Sequence, residues 1–138
     1  MENRNTCYTY FKIVGDFNPD EVSKILNLNP EKSWKIGDLR RNGTKYEFAN
    51  LEIAKCDEYD PLVENQMRKT ISVLQDKTAQ LNQIRETLNV EFFLVVVPKI
   101  YAGGINPCLS PSLDVIDFCH ATRTKIDIDM YVYDSKDE

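Results

Sequence analysis

Two aspartates, Asp127 and Asp129, are separated by one residue in the run Ile126-Asp127-Ile128-Asp129-Met130-Tyr131. Strand alternation turns both carboxylates to one side, about 7 Å apart, with Tyr131 next on the same side. Carboxylates so placed have the chemistry to hold a divalent cation or to divide acid and base roles. The plainer alternative is a solvated strand face whose charge discourages pairing between edges. Trp34 lies in Ser33-Trp34-Lys35-Ile36-Gly37-Asp38, a loop in which it is either a contact anchor beside Asp38 or a plug for the end of a sheet. Trp34, Asp38, Asp127, Asp129 and Tyr131 are therefore the candidate binding residues. No catalytic residue, metal ligand or cofactor is assigned.

Other reactive groups are placed less favourably. His120 is the single histidine. It adjoins Cys119 on a predicted helix, where neighbouring side chains diverge by about 100°, so the two make a poor dyad. Adding Cys108 gives three potential zinc ligands at a spacing that matches no familiar pattern. Gly103-Gly104 ahead of a helix start at Ser110 has the composition of an anion-binding nest, but no lysine of the phosphate-loop type accompanies it, and a flexible turn is the simpler expectation. Gly-x-Ser-x-Gly, His-Glu-x-x-His and Walker sequences are absent.

These residues need elements to position them. Cys7 to Val14 is rich in aromatic and β-branched residues and reads as the first strand. Asn18-Pro19 with Glu21 caps a short helix that Asn29-Pro30 ends. A second strand from Lys45 to Ala54 loses its alternation near Asn50, which predicts a bulge. From Asp60-Pro61 to Leu88, apolar residues recur every three or four positions, predicting one helix on the order of 40 Å long. Val90 to Val97 predicts a central strand ended by Pro98. Ser110-Pro111 opens a short helix through Leu113, Ile116 and Cys119. Lys125 to Tyr133 predicts the last strand, with Ile126, Ile128, Met130 and Val132 on one face and Asp127, Asp129, Tyr131 and Tyr133 on the other. The expected fold is α+β, a single domain over residues 1–138. It has a four- to five-stranded, mostly antiparallel or mixed sheet with one long and two short helices mainly on one face, ferredoxin-like in spirit.

Composition narrows the function. With 138 residues, 42% hydrophobic and 28% charged, the chain has the usage of an ordinary globular domain with a core of its own. Its longest apolar run, Phe92 to Val97, is far short of a membrane span, and its first residues do not read as a secretory signal. A cytoplasmic location with reduced thiols at Cys7, Cys56, Cys108 and Cys119, mostly buried, is expected. The net charge is −5 and the densest basic group is Lys35, Arg40, Arg41 and Lys45, so nucleic acid is not an expected partner.

Four segments together resemble a bacterial family, the domain of unknown function 4279. They are Phe11-Lys12-Ile13-Val14-Gly15-Asp16, Ser33-Trp34-Lys35-Ile36-Gly37-Asp38, Asn106-Pro107-Cys108-Leu109-Ser110-Pro111 and Ile126-Asp127-Ile128-Asp129-Met130-Tyr131-Val132. Each is weak alone, but the four stand in the right order across nearly the whole chain. Similar proteins often carry a tryptophan at the second strand, where this chain has Tyr46-Glu47-Phe48. The resemblance implies a small cytoplasmic α+β domain and no established activity.

The leading expectation is a non-enzymatic protein-interaction module, immunity-type or regulatory, monomeric or homodimeric, with a protein partner and neither nucleic acid nor membrane. The second is a small-molecule or metal-binding domain, hydrolytic in its strongest form, built on Asp127 and Asp129.

Overall fold

A computed structural model describes residues 5–134. Alternating apolar residues make β1 (Thr6–Asp16), which buries Cys7, Phe11 and Ile13 on one pleat face and leaves Tyr8, Tyr10 and Lys12 half-buried on the other. The capping residues start α1 (Pro19–Leu26), where the Asn18 side chain accepts from the Asp20 N–H at 3.0 Å and Pro19 fills the first turn. The helix stops at Asn27, which adopts the left-handed conformation and satisfies the terminal carbonyls before Asn29-Pro30 is reached. There follow β2 (Lys32–Trp34), β3 (Ala49–Cys56), α2 (Val63–Ser72), α3 (Thr78–Thr87), β4 (Asn89–Tyr101), α4 (Leu113–Thr122), β5 (Lys125–Ile128) and β6 (Tyr131–Tyr133).

The fold is α+β, with a six-stranded mixed sheet and four α-helices. Strand order is β2-β3-β1-β4-β5, with β6 also on β4. β1 pairs antiparallel with β3 and β4, whereas β5 and β6 run parallel to β4. Residues of all four helices, among them Val22, Met67, Leu81 and Phe118, share one core with Phe11, Ile53 and Leu94. The helices thus cover a single sheet face, and each fully buried Phe, Leu or Ile there contributes on the order of 2 kcal/mol. No helix is long and apolar enough to cross a membrane among the described residues.

The structure departs from expectation in several places. The predicted long helix is two ten-residue helices joined by a 3₁₀ turn at Gln75–Lys77. The apolar stripe runs through the joint without interruption, since Ile71, Leu74 and Leu81 are all buried. Ser72 and Thr78 loosen the helix there by donating to the carbonyls of Lys69 and Gln75. The ferredoxin-like likeness also stops short. β1-α1-β2 and β3-α2-α3-β4 each join strands that run parallel with one antiparallel strand between them, and the departure is at the end of the chain, where β4-α4-β5 adds a parallel neighbour to the sheet.

The bulge lies at Ala54-Lys55 opposite Tyr10, not near Asn50, with Ala54 at φ 58°. Simple alternation would drive Lys55 into the core. The bulge instead carries its ammonium over the Tyr8 ring, 4.9 Å from the centroid.

Pro98 does not end the central strand. β4 continues to Tyr101, and Pro98 pairs with Cys7. Its effect falls on the other side. Val96 turns its carbonyl toward β5, where Asp129 N–H donates to it at 2.8 Å. Pro98, two residues on, presents its nitrogen to the same neighbour and has no proton to give. The last strand is therefore divided into β5 and β6 at Asp129-Met130, while the register on β4 stays constant, Phe93 opposite Lys125 and Tyr101 opposite Tyr133.

Candidate functional site

The sheet face without helices is built from the alternate residues of each strand. Cross-strand register brings Tyr8 opposite Val97, Tyr10 opposite Val95, and Val95 opposite Asp127. Val95 and Val97 are buried although they stand outside the main core, because the tyrosines beside them shield the pleat. Lys55 and Lys99 both lie over the Tyr8 ring, at 4.9 and 5.7 Å, and the Tyr8 and Tyr10 rings stack at 6.0 Å. Further along, Tyr101 and Tyr133 stack at 4.8 Å.

Asp127, Asp129 and Tyr131 come together at one rim of this face. The Tyr131 hydroxyl donates to Asp129 at 3.2 Å, and the neighbouring Asp129 carboxylate raises the Tyr131 pKa above its usual value. Burial first, then the charge of Glu52 and contributions from Tyr8, Asp129 and Asp127, raise that of Tyr10. Both phenols stay protonated, and that of Tyr131 acts as a hydrogen-bond donor. Among the described residues no group of three or more His, Cys, Asp or Glu is placed to hold a metal ion.

Trp34 and Asp38 are elsewhere. β2 and β5 form opposite edges of the sheet, four inter-strand spacings or about 19 Å apart, so the five sequence candidates do not share one cleft. The segment after β2 is an ordered hairpin rather than a loose loop. Gly37 N–H donates to Tyr46 O and Tyr46 N–H to Asp38 O, while the Asp38 carboxylate accepts from Lys35 N–H at 2.8 Å. Asp38 is thus a turn residue. Trp34 stacks on Tyr46 with centroids 4.1 Å apart and donates from Nε1 to the Phe48 carbonyl.

The rim carrying Asp127 and Asp129 is also an open edge. Because Asp129 N–H and Tyr133 C=O turn toward β4, alternation turns the backbone N–H and C=O of Ile126, Ile128, Met130 and Val132 outward. The apolar side chains of this strand are mostly uncovered. Only Ile126 packs against the core, and Ile128, Met130 and Val132 are 41, 44 and 73% exposed. Sequence alternation shows that these residues share a face, but not how far the helices extend over it. Likewise Tyr8 and Tyr10 are visible as alternate residues of the first strand, but only the register places them beside Asp127.

The remaining groups are structural. Gly103-Gly104 forms a turn clamped by Asn5, whose Nδ2 donates to Ile105 O at 2.6 Å and whose Oδ1 accepts from Tyr101 N–H at 2.7 Å. The last helix starts at Leu113 with Ser112 as its cap residue, later than Ser110-Pro111 implied, and the Ser112 hydroxyl donates to Asp114. His120 is exposed. Of the four thiols, Cys7 and Cys119 are buried, Cys56 is intermediate and Cys108 is exposed. Burial pushes Cys7 and Cys119 up to about 11, so both remain protonated at pH 8. Thiol labelling of the folded protein at that pH, read by mass spectrometry, is expected at Cys108 first, with Cys7 and Cys119 modified only on unfolding. Early modification of Cys119 would show that α4 opens in the native state.

No curated protein and no solved structure matches the chain. Residues 5–133 match the family described as a domain of unknown function, DUF4279, and the chain belongs to that family.

Proposed function

We propose that this protein is a non-enzymatic interaction module that takes an extended segment of a basic protein partner onto its β5–β6 edge. The observation that carries the reading is the edge itself. Lys125 to Tyr133 keep one register on β4, expose outward backbone groups, and leave Ile128, Met130 and Val132 uncovered. An added strand would complete the ladder, with pockets for alternate side chains setting specificity. The opposite edge, β2, is only three residues long.

Charge selects the occupant. Asp127 and Asp129 line the tyrosine side of the seam, so a partner strand presenting Lys or Arg there and apolar residues on the helix side is complementary. A second copy would bring the same acids to the seam from the other side. The charge that opposes self-pairing therefore favours a monomer that binds a different chain.

The test uses two capped peptides of about nine residues, one alternating Lys and Val and the other Glu and Val. The Lys peptide is expected to slow hydrogen exchange at Ile126, Ile128, Met130 and Val132. In the double variant Asp127→Lys/Asp129→Lys, preference should pass to the Glu peptide by about tenfold or more, equivalent to roughly 1.4 kcal/mol. Absence of protection with either peptide, or equal binding of both by the native protein, would end this assignment.

A further inference from the structure

At the opposite edge the hairpin between β2 and β3 builds a second feature. An open concavity of about 630 Å³ is lined by Lys32, Arg40, Arg41, Asn42 and Tyr46. We infer that this concavity binds a phosphate monoester.

Every side chain lining it offers donors. Lys32, Arg40 and Arg41 carry positive charge, and none of them makes an ion pair with a carboxylate among the described residues. Asn42 has its carbonyl oxygen engaged by both the N–H and the hydroxyl of Thr44, at 3.1 and 2.6 Å. Its amide N–H groups are the part left to face a ligand. The Tyr46 phenol adds an O–H. In a chain of net charge −5, a concavity with cations and no carboxylate in its lining is a local inversion of the overall field.

Two of the three cations, Lys32 and Arg40, are also held in place. Lys32 Nζ lies 5.5 Å from the centroid of the Trp34 ring, Trp34 stacks on Tyr46 with an interplanar angle of 14°, and the Arg40 guanidinium lies 5.1 Å from the Tyr46 ring. Backbone bonds from Arg40 N–H to Thr44 O and from Gly43 N–H to Arg40 O close the tip that carries Arg41 and Asn42. Side chains fixed on aromatic faces lose less freedom when a ligand arrives. Charge number selects the ligand class, since a phosphate monoester is close to a dianion at neutral pH and presents acceptor oxygens only, matching guanidinium forks better than a single carboxylate does. A nucleic-acid strand would need a basic track, but Glu52 stands opposite Lys32 on β3, and Asp127 and Asp129 lie at the far edge of the sheet.

Trp34 is the only tryptophan, so its fluorescence reports on the stack. Titration at constant ionic strength with inorganic phosphate, phosphoserine amide and a phosphoserine peptide is expected to give a saturable change that the unphosphorylated peptide and chloride do not. Affinity should fall at least tenfold in Arg40→Gln and in Arg41→Gln, stay unchanged in Lys69→Gln, and weaken between pH 7.5 and pH 5.5 as the ester gains a proton near pH 6. Arg41 has no part in the ring stack, so Arg41→Gln leaves the hairpin intact and decides the matter if Arg40→Gln perturbs it. Equal affinity for the amide and the peptide assigns the site to small phosphate esters, and a peptide at least tenfold tighter assigns it to a phosphorylated protein segment. A response that chloride reproduces, or one that Arg41→Gln leaves unchanged, overturns the inference.

Discussion

Gly15→Ala is expected to lower stability by about 3 kcal/mol or more, with a fall in melting temperature on the order of 10 °C. Gly15 has φ 153° and pairs with Ala49 on one side and Val90 on the other. A Cβ at this position would overlap the Asn89 carbonyl oxygen and come within 2.8 Å of the Val90 Cα. Both obstacles are backbone of the neighbouring strand, so neither can rotate away, and relief requires prising β1 from β4. Gly43→Ala supplies the comparison. Its φ of 84° also disfavours a side chain, but nothing stands within 4 Å of the added carbon, so about 1 kcal/mol is expected there. Urea unfolding of the two variants separates collision from backbone preference, and equal small losses would mean that β1 and β4 tolerate separation at this point.

Gln66→Leu should be nearly as damaging, losing about 3 kcal/mol although the replacement is apolar and similar in size. Gln66 is buried beneath the sheet. It accepts from the Thr9 hydroxyl at 2.7 Å and donates to Cys7 O at 2.7 Å and Glu58 O at 3.0 Å. One side chain thus joins α2, β1 and the segment after β3, and removing it strands several buried polar atoms together. Gln66→Glu tests the donor role. A carboxylate can still accept from Thr9 but faces two carbonyls with nothing to donate, which raises its folded-state pKa above the ordinary glutamate value. The destabilisation is then complete above the raised pKa and fades as pH falls toward about 4.3, where the protonated acid donates again. A Gln66→Glu variant whose deficit relative to the native protein stays flat from pH 8 to pH 4.5 would show that the donor bonds contribute little.

How far the sequence reveals these features depends on the range of the interaction. Strand β1 and the start of α1 are local: alternation and the Asn18-Pro19 cap are decided within a few residues, and both stand where the pattern predicts. The break between α2 and α3 is not legible in that way. It carries no Gly or Pro, and the apolar stripe from Val63 to Ile84 continues in phase across it. The pairing of Asp127, Asp129 and Tyr131 follows from alternation and is seen directly. Their separation from Trp34 depends on strand order, which no local pattern encodes. Exposure at Ile128, Met130 and Val132 was hidden for a related reason: alternation reports a shared face but not whether a helix reaches far enough to cover it. Pro98 is legible in the sequence as an interruption. What needed the sheet was knowing which neighbour misses the proton, β1 or the last strand.

The central position of β1 has a consequence for how the chain reaches its native state. The strand formed by some of the first residues finds one partner in β4, where Thr6 meets Lys99 and Asp16 meets Asn89. Most of the polypeptide must therefore be looped out before the middle of the sheet can close, and that closure precedes the reward from burying Phe11 against Phe92. Contacts of such long sequence separation place folding toward the millisecond-to-second range rather than microseconds. During synthesis, β3 and α2 emerge in time to pair with β1 and cover its apolar face, but its second edge stays unpaired until β4 follows, so the nascent protein spends an interval with only half of its sheet.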